Sequence, residues 1–176
     1  SFTTNQGKKV VASASNPIFA FELAEGYNKI YRPLEQIKKY KHQFVGKRPV
    51  DFQNIFGIAQ LPTSCNTVLI VEGLKDCVVA NANLNQHGIF AVGIDNVSTH
   101  LKSEMLQLIR SKCKYLVLCL DIDEIGLKMS AMRARHFGLR NFLLPSILRD
   151  NGGKDISDWF KLKLSEQQLL DALGEI

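Results

Sequence analysis

Four apolar runs decide most of what this chain can become. They are Val68-Leu69-Ile70-Val71, Ile89 to Ile94, Tyr115 to Leu120 and Asn141 to Pro145. Stretches with helical patterning separate them, over residues 75–84, 99–111 and 126–136. A strand that is apolar without alternation has both faces buried, and strands separated by helices pair in parallel. The pattern predicts an α/β fold, a Rossmann-like parallel sheet flanked by helices, over residues 63–176.

The part before it reads differently. Residues 1–16 are small and polar and are expected to form a flexible lead-in. Residues 17–62 read as a small, β-rich, basic subdomain. Two β-rich runs, Pro17 to Leu23 and Lys29 to Arg32, flank Glu25-Gly26 and predict a hairpin. Lys38 to Val45 reads as a third strand with alternate basic residues pointing outward, and Asp51 to Ile58 as a short capped helix. Residues 1–62 hold nine Lys/Arg against four Asp/Glu, whereas the remainder holds thirteen of each. The whole net charge of +5 therefore sits in the first third. Clustered Lys and Arg gain affinity by displacing counterions from a polyanion, so this region is expected to face phosphate.

An apolar share of 45% with 22% charged residues is that of a soluble globular domain. No apolar run approaches the roughly 20 residues of a membrane span, and no signal pattern opens the chain. The first residue is Ser, so the chain reads as a fragment. Cys65, Cys77, Cys113 and Cys119 form no CxxC pair, and His42, His87, His100 and His136 show no ligand spacing. Reduced cysteines filling a core, and hence a cytoplasmic setting, are the expectation.

Ligands of open α/β sheets collect at the carboxyl ends of the strands, and the acids of this chain fall there. Glu72 closes the first apolar run, Gly73 turns the chain, and Asp76 lies in the next helical turn. Asp121 and Asp123 follow the third run two residues apart, a spacing that puts both on one side of an extended segment. Gly126 lets the chain enter the next helix. Lys154-Asp155-Ile156-Ser157-Asp158 follows the flexible Asn151-Gly152-Gly153. Asp155 or Ser157 reads there as a helix cap, or Asp155, joined by Asp158, as a further acid of the site. Several carboxylates at one edge are costly unless neutralised, and oxygen ligands of this kind suit Mg²⁺.

The order EGxxD (Glu72, Gly73, Asp76), DxDxxG (Asp121, Asp123, Gly126) and a late Gly-Lys-Asp (Gly153 to Asp155) resembles the TOPRIM domain. That domain is shared by DnaG-type primases, topoisomerases, OLD-type nucleases and RecR. The resemblance covers about residues 66–160. The basic lead-in and the KDISD motif are similar to primases of phages, plasmids and mobile elements. The turn Gly93-Ile94-Asp95-Asn96-Val97 departs from the family's small Gly/Asn-rich turn.

The resemblance implies a DNA primase domain that builds primers from nucleoside triphosphates on a single-stranded DNA template with Mg²⁺, or Mn²⁺. Glu72, Asp121, Asp123 and Asp155 would hold metal, with Glu72, Asp76, Asp121 and Asp123 catalytic. Lys75 and Lys154 would contact phosphate, and Arg32, Lys39, Lys41, Lys47 and Arg48 the template. A replicative helicase is an implied partner. An OLD-like metal-dependent nuclease, or a non-catalytic nucleic-acid-binding module of a replication protein, would carry the same motifs.

Overall fold

A computed structural model describes residues 1–50, 55–95 and 99–174. The chain packs as two compact units, Ser1–Phe52 and Gln53–Ile176.

In the first unit, β1 (Phe2–Thr3) and β2 (Lys9–Val10) pair antiparallel. The lead-in expected to lack structure therefore holds a hairpin. Its turn is closed by the Lys8 amide donating to Thr4 Oγ1 at 3.1 Å and the Gly7 amide to the Thr4 carbonyl at 2.8 Å. The predicted hairpin is present as β3 (Phe19–Ala24) and β4 (Tyr27–Tyr31), with β5 (His42–Val45) completing a three-stranded antiparallel sheet in the order β3-β4-β5. The third strand is half its expected length, because Lys38–Lys41 form one turn of helix, α1. Lys39 and Lys41 consequently do not alternate along a strand. Tyr27 stacks on Phe44 and Tyr31 on His42, centroids 5.7 and 4.9 Å apart, cross-strand pairs that hold β4 to β5.

The second unit opens with β6 (Ile55–Phe56), where the sequence reading expected a helix. Residues 51–54 of that expected helix lie outside the described residues, and a short 3-10 turn follows at Ile58–Gln60. β6 pairs antiparallel with a strand of the main sheet through Ile55↔Ile94 and Phe56↔Gly93. That pairing takes this segment away from the basic subdomain and into the second unit.

The predicted βα alternation then follows in order. It comprises β7 (Cys65–Glu72), α2 (Leu74–Leu84), β8 (Ile89–Ile94), α3 (Ser103–Arg110), β9 (Cys113–Cys119), α4 (Glu124–Phe137) and β10 (Arg140–Asn141). α5 (Ile147–Asp150), α6 (Ile156–Lys161) and α7 (Glu166–Gly174) end the unit. Helix α3 starts four residues later than Thr99, and the turn at 96–98 lies outside the described residues. The fourth strand is only two residues long, since Phe142 onward has just one ladder bond, its amide to the Leu118 carbonyl at 2.8 Å.

The sheet order is β10-β9-β7-β8-β6, with β10, β9, β7 and β8 parallel. Successive residues of the central strands feed opposite cores, because side chains alternate across a strand. Leu69, Val71, Val117 and Cys119 pack with α2, with Leu148 of α5, with Trp159 of α6 and with Leu169 of α7. Val68, Ile70, Leu116 and Leu118 pack on the other face with Leu106 and Ile109 of α3 and, at its edge, Ala134 and Phe137 of α4. The helix after β7 thus covers one face and the helix after β9 the other. The connections leaving these neighbouring strand ends diverge, which is the topological switch point where such sheets open a crevice.

No helix among the described residues is long and apolar enough to cross a membrane. The four cysteines are free thiols.

Candidate metal centre

Asp76, Asp121 and Asp155 converge at that switch point. One carboxylate oxygen from each lies within 4.8 Å of the others. The three residues are 5, 8 and 8% exposed. Each arrives by a different local device. Gly73, at φ 95°, turns the chain off the end of β7, and a Cβ there would meet Asp76 Oδ2 at 2.9 Å. α2 begins immediately, so Asp76 lies in its first turn. Asp121 comes just after β9, and Gly126 of α4 packs so closely beneath it that a Cβ would meet the Asp121 carbonyl at 2.1 Å. Asp155 is the N-cap of α6, accepting from the Asp158 amide at 2.7 Å. Asp155 therefore caps the helix with one oxygen and also lies in the acidic group with Asp76 and Asp121.

Burial pushes the Asp76 carboxyl up to about 7, and the Asp155 charge adds to the rise. The Ser157 hydroxyl, donating to Asp76 Oδ1, works against it, as does Lys75. Burial also raises Asp121, against the opposing pull of Lys154. Asp123 behaves differently. It is exposed, caps α4 by accepting from the Gly126 amide at 2.8 Å, and that bond holds its carboxyl below the ordinary value.

Two lysines stand against these acids. Lys75 Nζ is 3.0 Å from Asp155 Oδ2 and 3.4 Å from Asp76 Oδ1. Burial works to lower its pKa, but Asp76 and Asp155 outweigh that and hold it above its usual value. Lys154 Nζ is 2.5 Å from Asp121 Oδ2 and 3.3 Å from Asp123 Oδ2, and the bond it donates to Asp121 raises its pKa strongly. The backbone around this contact is fixed. The Ile122 amide donates to the Lys154 carbonyl at 2.8 Å, and Arg149 Nη2 to the Ile122 carbonyl at 3.0 Å.

Glu72 lies outside the three-acid group. Val71 faces the α2 core, so the next residue faces α4, where Arg133 is buried. Burial lowers the Arg133 pKa and the charge of Glu72 works against that. Arg133 Nη2 donates to the Thr99 carbonyl at 2.6 Å. Asp158 also stays out of the group and instead accepts from the Lys154 amide at 3.1 Å. Ser157, Arg149 and Arg133 were not singled out as site residues from the sequence. The sequence marks Ser157 only as a cap, and the other two carry no local signal.

The donor set fits a divalent cation. It consists of hard carboxylate oxygens, as Mg²⁺, Mn²⁺ and Ca²⁺ prefer. Fully ionised, Asp76, Asp121, Asp123 and Asp155 exceed Lys75 and Lys154 by two charges, which one divalent ion balances.

In the first unit, a groove of about 700 Å³ is lined by Lys8, Lys9, Arg32, Lys39, Tyr40, His42 and Phe44, among others. Of the five basic residues expected to meet nucleic acid, Arg32 and Lys39 line it, while Lys41, Lys47 and Arg48 do not. Arg32 also pairs with Glu35. Lys8 and Lys9 enter through the β1–β2 hairpin, in the stretch expected to be a flexible lead-in.

A parallel sheet with acids gathered at its switch point defines the class of fold, and solved structures share it. The DnaG catalytic core matches with a TM-score of 0.65 and 21% identity, over 92% of this chain and 53% of that one. The DnaG primase catalytic domain bound to single-stranded DNA matches with a TM-score of 0.65 and 20% identity, over 99% and 57%. The primase fragment of the bacteriophage T7 primase-helicase matches with a TM-score of 0.61 and 17% identity, over 84% and 56%. The chain therefore has the fold of a DnaG-like primase TOPRIM core and spans little more than half the length of these structures. No family model and no curated protein matches the sequence.

Proposed function

We propose that this chain is the catalytic part of a DNA primase, joining nucleoside triphosphates into a primer on single-stranded DNA with Mg²⁺, for which Mn²⁺ substitutes. The convergence of Asp76, Asp121 and Asp155 within 4.8 Å, in a fold shared with primase cores, carries the reading. These three carboxylates would hold the cation, with Asp123 beside them. A divalent ion so held stabilises charge on the attacking and leaving oxygens of an in-line displacement. Lys75 and Lys154 lie at the rim, partly exposed, and would meet the triphosphate. Glu72, whose charge acts on the nearby Arg133, would take the proton of the primer 3′-hydroxyl.

Template binding is assigned to the groove of the first unit. Lys8, Lys9, Arg32 and Lys39 supply charge there, and Tyr40 and Phe44 supply faces on which bases stack. Lys41, Lys47 and Arg48 would extend that charge beyond the groove. One of the matching structures is part of a primase-helicase, and a replicative helicase is the corresponding partner proposed for this chain.

The test is primer synthesis on a single-stranded template with Mg²⁺ or Mn²⁺, comparing the protein with Asp121→Ala. Primers from the first and none from the second are expected. Full activity in Asp121→Ala would overturn the metal assignment. Degradation of labelled DNA without nucleotides would make the chain a nuclease instead.

A further inference from the structure

The Lys154 ammonium occupies a particular place. It sits 2.5 Å from Asp121, a member of the three-acid group, and 3.3 Å from Asp123 beside it. Ammonium and metal compete for those carboxylates, because two cations crowded onto the same oxygens repel each other. The Lys154 main chain is pinned on both sides, its carbonyl to the Ile122 amide at 2.8 Å and its amide to Asp158 at 3.1 Å. Its side chain, by contrast, is 53% exposed. The head can swing into solvent without disturbing the fold, while the tether keeps it within a side chain's length of the acids. Lys75 bridges Asp76 and Asp155, whereas Lys154 pairs with Asp121 and Asp123.

We propose that Lys154 is a tethered counter-cation: it yields Asp121 and Asp123 to the divalent ion and then presents its ammonium to the triphosphate bound beside that ion. This rests on the metal reading above and adds an exchange to it. One residue would thereby act in opposite senses, against metal binding and for nucleotide binding.

The experiment uses the whole chain and three proteins: unaltered, Lys154→Met, and Asp121→Ala as the reference for a lost site. Mn²⁺ binding is followed by the paramagnetic resonance of the free ion. Lys154→Met is expected to bind Mn²⁺ about two- to fivefold more tightly, the ratio an ion pair with one exposed partner is worth. ATP affinity under saturating Mg²⁺ should fall in the same variant. In the unaltered protein, the ¹⁵Nζ signal of Lys154, assigned by its disappearance in Lys154→Met, should move to the region of free lysines as Mg²⁺ saturates. Equal or weaker Mn²⁺ binding in Lys154→Met would overturn the exchange, as would ATP affinity that does not fall. Tighter binding with an unmoved Lys154 signal would also overturn it, showing that only charge repulsion was relieved. Failure of the unaltered protein to bind Mn²⁺ above the level of Asp121→Ala would remove the metal reading itself, and the exchange with it.

Discussion

The Ser157 hydroxyl donates to the buried Asp76 carboxylate, joining two first helical turns that lie 81 residues apart in the chain. One belongs to α2 and the other to α6, and this contact sits directly behind the acidic centre. It is also one of the forces holding the Asp76 carboxyl below where burial alone would put it. Ser157→Ala would leave a buried carboxylate short of a partner. The expected loss is about 1–3 kcal/mol of stability by urea denaturation, together with weaker Mn²⁺ binding.

Asp76 itself should impose a pH dependence. Its folded-state value, about 7, lies above the ordinary value of 3.8. Between those limits the unfolded chain has lost its proton while the folded chain keeps it, so stability falls as pH rises through that window and stays low above it. Below both values the group contributes nothing. Asp76→Asn should therefore raise the melting temperature at about pH 8 and leave it nearly unchanged at about pH 4. Thermal unfolding across pH measures this, and an equal effect at both ends would refute it. Mg²⁺, which favours the ionised carboxylate, should stabilise the unaltered protein more at the higher pH.

Gly126 stands inside α4, where replacing Gly with Ala would ordinarily gain about 1 kcal/mol. Here an added Cβ would lie 2.1 Å from the Asp121 carbonyl and 3.1 Å from its Cβ. Gly126→Ala must push Asp121 off the centre, so the expected result is lower stability and lost Mn²⁺ binding together. A stabilised variant with normal metal affinity would contradict the close packing.

The basic groove of the first unit predicts a salt effect. Lys8→Ala combined with Lys39→Ala should weaken binding of single-stranded DNA of any sequence. It should also flatten the dependence of log affinity on log salt by about 1.4, two phosphate contacts' worth. Lys47→Ala with Arg48→Ala, outside the groove, should change the slope less. Fluorescence anisotropy over a salt series separates the two pairs.

The contrast between β7 and β6 shows how far the sequence can be read. Val68 to Val71 and Tyr115 to Leu120 are apolar at every position because helices cover both faces of these strands, and that burial is written locally. The two residues Ile55–Phe56 have no period of their own. Only the free edge of β8 makes them a strand. Lys38–Lys41 likewise read as strand until the helical turn is seen. The hairpin over residues 2–10 escaped because strands of two residues are too short to alternate.

The acidic centre divides in the same way. The sequence by itself determined that acids close the apolar runs, that Asp121 and Asp123 stand two apart, and that a Lys-Asp pair follows the last glycines. Those are properties of neighbours in the chain. Which acids meet was decided only by the tertiary structure. Glu72 follows Val71 along β7 and so falls on the opposite face, beside Arg133, whereas one further turn brings Asp76 to Asp121. Asp155 reaches them from the cap of α6, and Lys154 lies across Asp121 and Asp123. The crossovers leaving β7 and β9 for opposite faces of the sheet create that meeting place, and no spacing along the chain records it.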